Sequence, residues 1–234
     1  MKAIIPAKYS SIRVPKKNWI DFDGDKCLVT VLIEKLVAAG FAPSDIYVSS
    51  ESRYLMRRMI TLHGVNELPR PKYLCENQTS LVTLIRSVCG LLGDCDEIAW
   101  AQCTSPTFNE YSKCLSLWKE NKRNHDSLCV AYPGSPYSLV ETKSGLAPHG
   151  WSFGENHQSS QQLCSSYTMP FAFSILTRES IESTGYYVGR RPFWYVASEG
   201  HIDIDTMQDF RDAQAVYRSR GMSKGDKEPK SSVE

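Results

Sequence analysis

The chain has 234 residues, 41% of them hydrophobic, which supplies one well-formed core and makes one domain the default expectation. Its 27 basic and 26 acidic side chains leave a formal charge of +1. That balance provides no long-range field for nucleic acid or an anionic membrane, so any anion must be captured locally.

The apolar run at 2–6 reads as an inner strand of a parallel sheet. It breaks at Pro6 into a loop, 7–18, rich in small, hydroxylated and cationic residues. Residues 21–25 read as a turn, and Leu28, Leu32, Ile33, Leu36 and Val37 place a helix over 27–39, with Gly40 just past its end. A strand at 45–49 and a helix over 50–63 follow, with Tyr54, Leu55, Met59 and Leu62 near one face and Gly64 ending it. This strand–helix–strand–helix order points to a parallel sheet with right-handed crossovers.

Leu68-Pro69-Arg70-Pro71 reads as a rigid connector, and Asn77, Thr79 and Ser80 as capping residues for a helix over 81–92. A strand at 97–101 delivers Gln102-Cys103-Thr104-Ser105-Pro106 to its carboxyl end, where open α/β sheets bind ligands. A helix over 109–121 and a strand over 127–132 come next. From 133 to about 165 the pattern degrades into Gly, Pro, Ser and Asn with isolated aromatics Tyr137, Trp151 and Phe153. A loop this long serves as a flap over a site or as an arm onto a second subunit, and its composition leaves both open. Strands are expected at 166–176 and 193–197. A helix over 206–217 closes the fold, with Phe210, Ala213 and Val216 on one face and Asp205 as its N-cap. The polar tail 221–234 is expected to be disordered.

No apolar run approaches the roughly 20 residues that span a bilayer, and the N-terminus lacks the charged and apolar regions of a signal peptide. None of the 8 cysteines falls in a CxxC pair, and most sit in apolar segments, as buried free thiols do. A reduced, cytoplasmic protein with neither nucleic-acid nor membrane partner is the expectation.

Three segments could carry chemistry. Lys8, Arg13, Lys16 and Lys17, with Ser10, Ser11 and Asn18, combine the cations and donors that a polyphosphate needs. The loop is neither a Walker motif nor a GxGxxG turn, and a solvated basic loop is the alternative on composition alone. Asp203 and Asp205, two apart in an extended segment, point to one side and suit a Mg²⁺ shared with substrate phosphates; a helix cap with one exposed partner is the alternative. The polar groups of 102–106 suit a hydroxyl-rich substrate.

In this order, the segments resemble the cytidylyltransferases that activate sialic and related keto acids, the CMP-acylneuraminate synthetases. The family opens on approximately I-P-A-R-x-x-S-K-R-x-x-x-K-N. This chain reads IIPAKYSSIRVPKKN, matching at Pro6, Ala7, Ser11, Arg13, Lys17 and Asn18. Arg70-Pro71 matches the family's Arg-Pro connector, Gln102, Thr104, Ser105 and Pro106 its Q-P-T-S-P segment, and Asp203-Ile204-Asp205 with Asp209-Phe210 its closing motif.

The resemblance implies an α/β, three-layer Rossmann-like nucleotidyltransferase fold over residues 1–220, with a mainly parallel central sheet and residues 133–165 as a dimerisation arm. It implies a homodimer that transfers CMP from CTP to the anomeric hydroxyl of an acidic keto sugar and releases pyrophosphate, with Mg²⁺. In that reading Ala7, Lys8, Ser11, Arg13, Lys17 and Asn18 line the CTP site, and Arg70, Thr79 and Ser80 lie near the cytidine. Gln102, Thr104 and Ser105 bind the sugar, Asp203 and Asp205 hold the metal, and Arg13, Lys17 and Asp205 are catalytic.

The chain departs from the family at Lys8 (for Arg), Ile12 (for Lys), Thr107-Phe108 (for Leu-Arg) and 168–171, where the sialic acid enzymes carry an Arg and Asn–Gly pattern. An arginine-to-lysine exchange keeps charge but loses the bidentate fork. These departures leave open a different keto acid (octulosonic, legionaminic-like or pseudaminic-like) or a loss of turnover. A metal-dependent glycosyltransferase using a nucleotide-sugar, and a non-catalytic nucleotide-binding homologue, are the other readings.

Overall fold

The computed structural model describes residues 1–221 except Asn77, Cys164 and Glu199. The expected cap at Asn77 and the expected disorder of the tail beyond Gly221 therefore lie outside the described residues.

Strand β1 (Lys2–Pro6) sends Ala3 and Ile5 into one core and Ile4 into the other, as the two-residue period of a strand dictates. Two short strands, β2 (Asp21–Asp23) and β3 (Lys26–Cys27), pair as a small hairpin where the sequence suggests only a turn. Helix α1 (Leu28–Ala38), strand β4 (Ile46–Ser50), helix α2 (Arg53–His63), strand β5 (Asn66–Pro69), helix α3 (Leu81–Gly90) and strand β6 (Glu97–Ala101) then alternate. Helix α4 (Tyr111–Asn121) and strand β7 (Ser127–Pro133) precede the arm, whose strands are β8 (Ser138–Thr142) and β9 (Gly145–His149). Strands β10 (Tyr167–Thr168) and β11 (Phe173–Thr177), helix α5 (Arg178–Thr184), strand β12 (Pro192–Val196) and helix α6 (Met207–Ser219) complete the chain.

The main sheet runs β10-β7-β11-β6-β1-β4-β5, with β12 also on β7. β1 pairs in parallel with β4 and β6, β4 with β5, and β12 with β7. β11 lies antiparallel between β6 and β7, and β10 is antiparallel to β7. The sheet is therefore mixed rather than simply parallel. The chain leaves the carboxyl end of β7 into the arm and returns from that same end, so β11 must run backwards; a parallel strand would need a crossover.

Helices cover both faces. Buried residues of α1, α2, α4 and α6 share one core with Ala3 and Ile5. Ile85 and Val88 of α3 and Ile181 of α5 share the other with Ile4, Ile98 and Trp100. Three layers result. On α2 the buried residues are Met56 and Met59, while Tyr54 and Leu62 face solvent, which corrects the expected face. Among the described residues no helix is long and apolar enough to cross a membrane.

The segment expected to be irregular at 133–165 forms the β8–β9 hairpin, which pairs only with itself. Its base is pinned by Trp151, whose indole donates to the Ser138 carbonyl at 2.7 Å, and by the Tyr137 hydroxyl on the Gln158 carbonyl at 3.0 Å. Leu139, Val140 and Leu146 remain exposed on it, and Phe153 just beyond it.

Helix α6 is capped by Thr206, not Asp205. The Thr206 hydroxyl accepts from the Asp209 amide, and Asp209 accepts from the Thr206 amide, a complete capping box. Phe210 and Tyr217 of α6 meet the buried Phe22 of β2 edge-on, at 5.4 and 5.3 Å between ring centres. The aromatic trio fastens the closing helix to the segment just after the opening loop. Phe22→Ala should destabilise the fold by about 3–5 kcal/mol, read as a lower urea midpoint. A midpoint within error of the parent would show that α6 does not depend on this contact.

Candidate active site

A cleft of about 530 Å³ opens at the carboxyl ends of β1 and β6. The 7–18 loop supplies one wall, with Lys8, Ser11, Arg13, Lys17 and Asn18. Arg70, after β5, and Gln102 and Thr104, after β6, supply others. Eight of the expected site residues thus meet around one opening, although Arg13 and Gln102 are far apart in sequence.

The loop is held from below by its own backbone. The Ala7 amide donates to the Ser49 carbonyl at 2.8 Å, continuing the β1–β4 ladder. The Asn18 side-chain amide donates to the Lys8 carbonyl at 3.0 Å, closing the loop on itself, and the Trp19 indole donates to the Ala7 carbonyl. Ala7 is fully buried and acts as a floor, outside the cleft lining. Lys8 donates to the Cys75 carbonyl at 3.1 Å.

One residue of this framework gave no signal in the sequence reading. Glu51, directly after β4, accepts the Tyr9 amide at 3.0 Å, the Ser10 amide at 2.9 Å and the Ser10 hydroxyl at 2.8 Å. Burial alone would raise its pKa; the donated hydrogen bonds outweigh that and hold the carboxyl down at about 2. An acid at the carboxyl end of a strand was the available clue. Trp100, Leu84 and Tyr187 also line the cleft and were missed: Trp100 lies inside a strand, Leu84 in a helix stripe, and Tyr187 in a stretch without a motif.

The C-terminal acids arrive beside the cationic loop. Arg13 reaches the Asp205 carboxylate at 2.7 Å and Lys17 reaches the same oxygen at 3.6 Å, while the Lys17 ammonium also donates to the Ile204 carbonyl. The Ile204 amide donates to the Thr104 carbonyl at 2.9 Å, and the Ile202 amide to the Thr107 hydroxyl at 2.9 Å. The turn after β6 therefore sets the height of the acidic segment. Surrounding protein atoms raise the pKa of Asp203; a hydrogen bond from Thr104 opposes this, and the Asp205 charge adds to it.

Several expected residues stand elsewhere. Ser80 is the N-cap of α3, accepting the Thr83 amide at 3.1 Å, and the Thr79 hydroxyl donates to the Tyr73 carbonyl; neither lines the cleft. Ser105 is buried in the turn, and its hydroxyl has no partner among the described residues. Arg70 lines the cleft but is buried, donating to the Ser49 carbonyl at 3.0 Å.

The donor set fits Mg²⁺. Two carboxylates stand side by side, and the like charge of Asp205 opposes ionisation of Asp203, a repulsion that a divalent ion would relieve. No cluster of three or more His, Cys, Asp or Glu suited to a metal occurs among the described residues. Mg²⁺ is commonly held by one or two carboxylates, with water and substrate phosphate completing its shell.

No protein-family model matches the chain. It is 24% identical over 215 residues to the N-acylneuraminate cytidylyltransferase of Streptococcus agalactiae serotype III (strain NEM316), covering 88% of this chain and 51% of that protein. It is 25% identical over 228 residues to the pseudaminic acid cytidylyltransferase of Campylobacter jejuni subsp. jejuni serotype O:23/36 (strain 81-176), covering 92% and 95%. The chain thus spans about half the length of the streptococcal relatives it matches. Its structure is similar to that of a CMP:2-keto-3-deoxy-manno-octonic acid synthetase complexed with CTP, with a TM-score of 0.64 at 12% identity, over 94% of this chain and 98% of that one. The fold is the α/β nucleotidyltransferase fold.

The depressed pKa of Glu51 has a consequence for stability. Its contribution is complete above the ordinary glutamate value of 4.5 and is lost as pH falls through about 2. Glu51→Gln should therefore melt below the parent at neutral pH, and the gap should close as the acid range is entered. Thermal unfolding followed across that range checks this; a gap independent of pH would mean that the charge of Glu51 plays no part in holding the loop.

Proposed function

We propose that this chain, a distant homologue of the acylneuraminate and pseudaminic acid cytidylyltransferases over most of its length, transfers CMP from CTP to the anomeric hydroxyl of an acidic keto sugar and releases pyrophosphate. The observation that carries the reading is the meeting of Arg13 and Lys17 with Asp205 at the mouth of one cleft. A triphosphate needs clustered cations, and a shared divalent ion needs carboxylates within reach of the same phosphates.

In this mechanism Lys8, Arg13 and Lys17 bind the triphosphate, with Ser11 and Asn18 as additional hydrogen-bonding groups, and Ala7 gives the loop its close approach. Arg70 is the residue of the cleft wall that would face the cytidine, whereas Thr79 and Ser80 serve the start of α3 instead. Gln102 and Thr104 orient the sugar, with Ser105 in the turn behind them. Asp203 and Asp205 would hold Mg²⁺, which, when bound, neutralises charge on the phosphates. The sugar hydroxyl attacks the α-phosphorus in line, an O–P bond forms as the hydroxyl loses its proton to solvent, and the bond to pyrophosphate breaks; positioning and charge neutralisation supply most of the acceleration. Arg13 and Lys17 stabilise the charge that develops on the departing pyrophosphate.

A homodimer is part of the proposal, with 133–165 as its arm. The self-contained β8–β9 hairpin, its exposed Leu139, Val140 and Leu146, and the exposed Phe153 just beyond it support this use. A cytoplasmic setting agrees with the seven described cysteines, all free thiols and six of them buried.

The reaction is tested by pyrophosphate release from CTP with Mg²⁺ and a panel of eight- and nine-carbon keto acids; no release with any of them overturns it. Arg13→Ala should weaken CTP binding by about tenfold or more, the worth of a charge-assisted hydrogen bond, in calorimetry, and an unchanged affinity would place the triphosphate elsewhere. Leu146→Glu should shift the mass measured by light scattering from two chains to one, whereas a monomeric parent protein would remove the arm assignment.

A further inference from the structure

A second cavity, of about 610 Å³, lies among α1, the end of α2 and α6 and shares no lining residue with the cleft. Val37, Pro43 and Leu62 give it an apolar side, and Lys35, His63 and Tyr217 a polar one. Lys35 is half-buried, and its amine donates to the carbonyls of Pro106 and Phe108, the latter at 2.9 Å. An ammonium carries three N–H groups, so those two bonds leave one to give. The Tyr217 ring, 5.2 Å away, attracts a cation but holds no charge to balance it. No carboxylate pairs with Lys35 among the described residues: Glu34, the acid on the cavity wall, bonds Lys26 at 2.9 Å instead. Desolvation, joined by the like charge of Arg220 at the end of α6, brings the pKa of Lys35 down to about 7. His63 belongs to the same wall. Desolvation lowers its pKa against the pull of Glu34, and its Nε2 meets no partner among the described residues.

A cation withdrawn from water without a counter-ion is costly. An anion entering this cavity supplies one, and the lining narrows its kind. One amine balances one negative charge, and a dianion would bring a second charge out of water unmatched. His63 can meet a second oxygen of the same group, which fits a carboxylate. The apolar side fits a hydrocarbon body. We propose that the cavity is a second ligand site, for a small monocarboxylate with a branched body: the carboxylate on Lys35 and His63, the hydrocarbon on Val37, Pro43 and Leu62. The amine that would hold this ligand is the one that holds the turn beyond Thr104, so the site is tied to a wall of the cleft. It stands whether or not the cleft carries out the proposed cytidylyl transfer.

The experiment titrates isocaproate into the full chain by calorimetry across the neutral range. A bound carboxylate holds the proton on Lys35 and raises its pKa. Affinity is therefore full below about 7 and falls as pH rises through that value, to about tenfold weaker at about pH 8 than at about pH 6. Isocaproamide, of the same shape without the charge, should bind weaker by about tenfold or more. Leu62→Asp, an exchange at an exposed position, puts a like charge at the mouth and should weaken isocaproate by a similar factor. Lys35→Met should weaken it too and abolish the pH dependence; if that variant does not fold, Leu62→Asp and the pH series decide. An affinity independent of pH, or an amide that binds as well as the acid, would overturn the proposal. So would unchanged binding by Leu62→Asp, which would put the anion in the cationic cleft, or no binding of isocaproate up to about 10 mM. Pyrophosphate release plays no part in these readouts, so a failure of the transfer reaction leaves them untouched.

Discussion

The contact on which the site depends is the shared hold of Arg13 and Lys17 on Asp205. Arg13 and Asp205 lie 192 positions apart, so the two ends of the described fold must be brought together before the acid stands beside the cations. Both Arg13 and Asp205 are substantially exposed, and a pair of that kind adds little to stability. Its effect is positional. A loop of cations would otherwise repel itself; an acid beside it lets the cations stand close together.

That arrangement is supported by the turn after β6. Lys35 of α1 is half-buried, and desolvation, assisted by Arg220, lowers its pKa to about 7. Its amine donates to the carbonyls of Pro106 and Phe108, and it sits 5.2 Å over the Tyr217 ring of α6. One side chain therefore joins the first helix, the turn that presents Thr104, and the last helix. Arg220 continues the bracing by donating to the Thr107 carbonyl at 3.2 Å and the Gly200 carbonyl at 3.0 Å. The acids of 203–205 are thus located by backbone contacts to a turn that is itself held from two helices.

What could be read in advance follows from the range of the interactions involved. The α1 stripe (apart from Val37, which is exposed), the β1 and β6 strands and the cationic loop are local patterns, and each stands where its periodicity or composition places it. β5 was legible only as a connector because it is a four-residue edge strand ending in proline, which an edge tolerates. The β8–β9 hairpin pairs exposed residues, so no buried alternation marks it. Asp205 looked like a cap because the true capping pair, Thr206 and Asp209, has the same residue chemistry one position later. At the site, charged residues were recognisable by type. Glu51 and Lys35 were not, because their roles come from partners about 40 to 75 residues away.

The distance between the halves of this site also orders events during synthesis. The cationic loop is made before the acids that face it, which are added almost 200 residues later. Until Phe210 and Tyr217 can close on Phe22, the nascent chain carries cations without their acidic counterpart. Over that interval the growing polypeptide is a basic loop that any abundant polyanion could engage. The pairing of cations with acid thus arrives late, with α6, and a chain broken off before α6 is made would lack that pairing however well its sheet had formed.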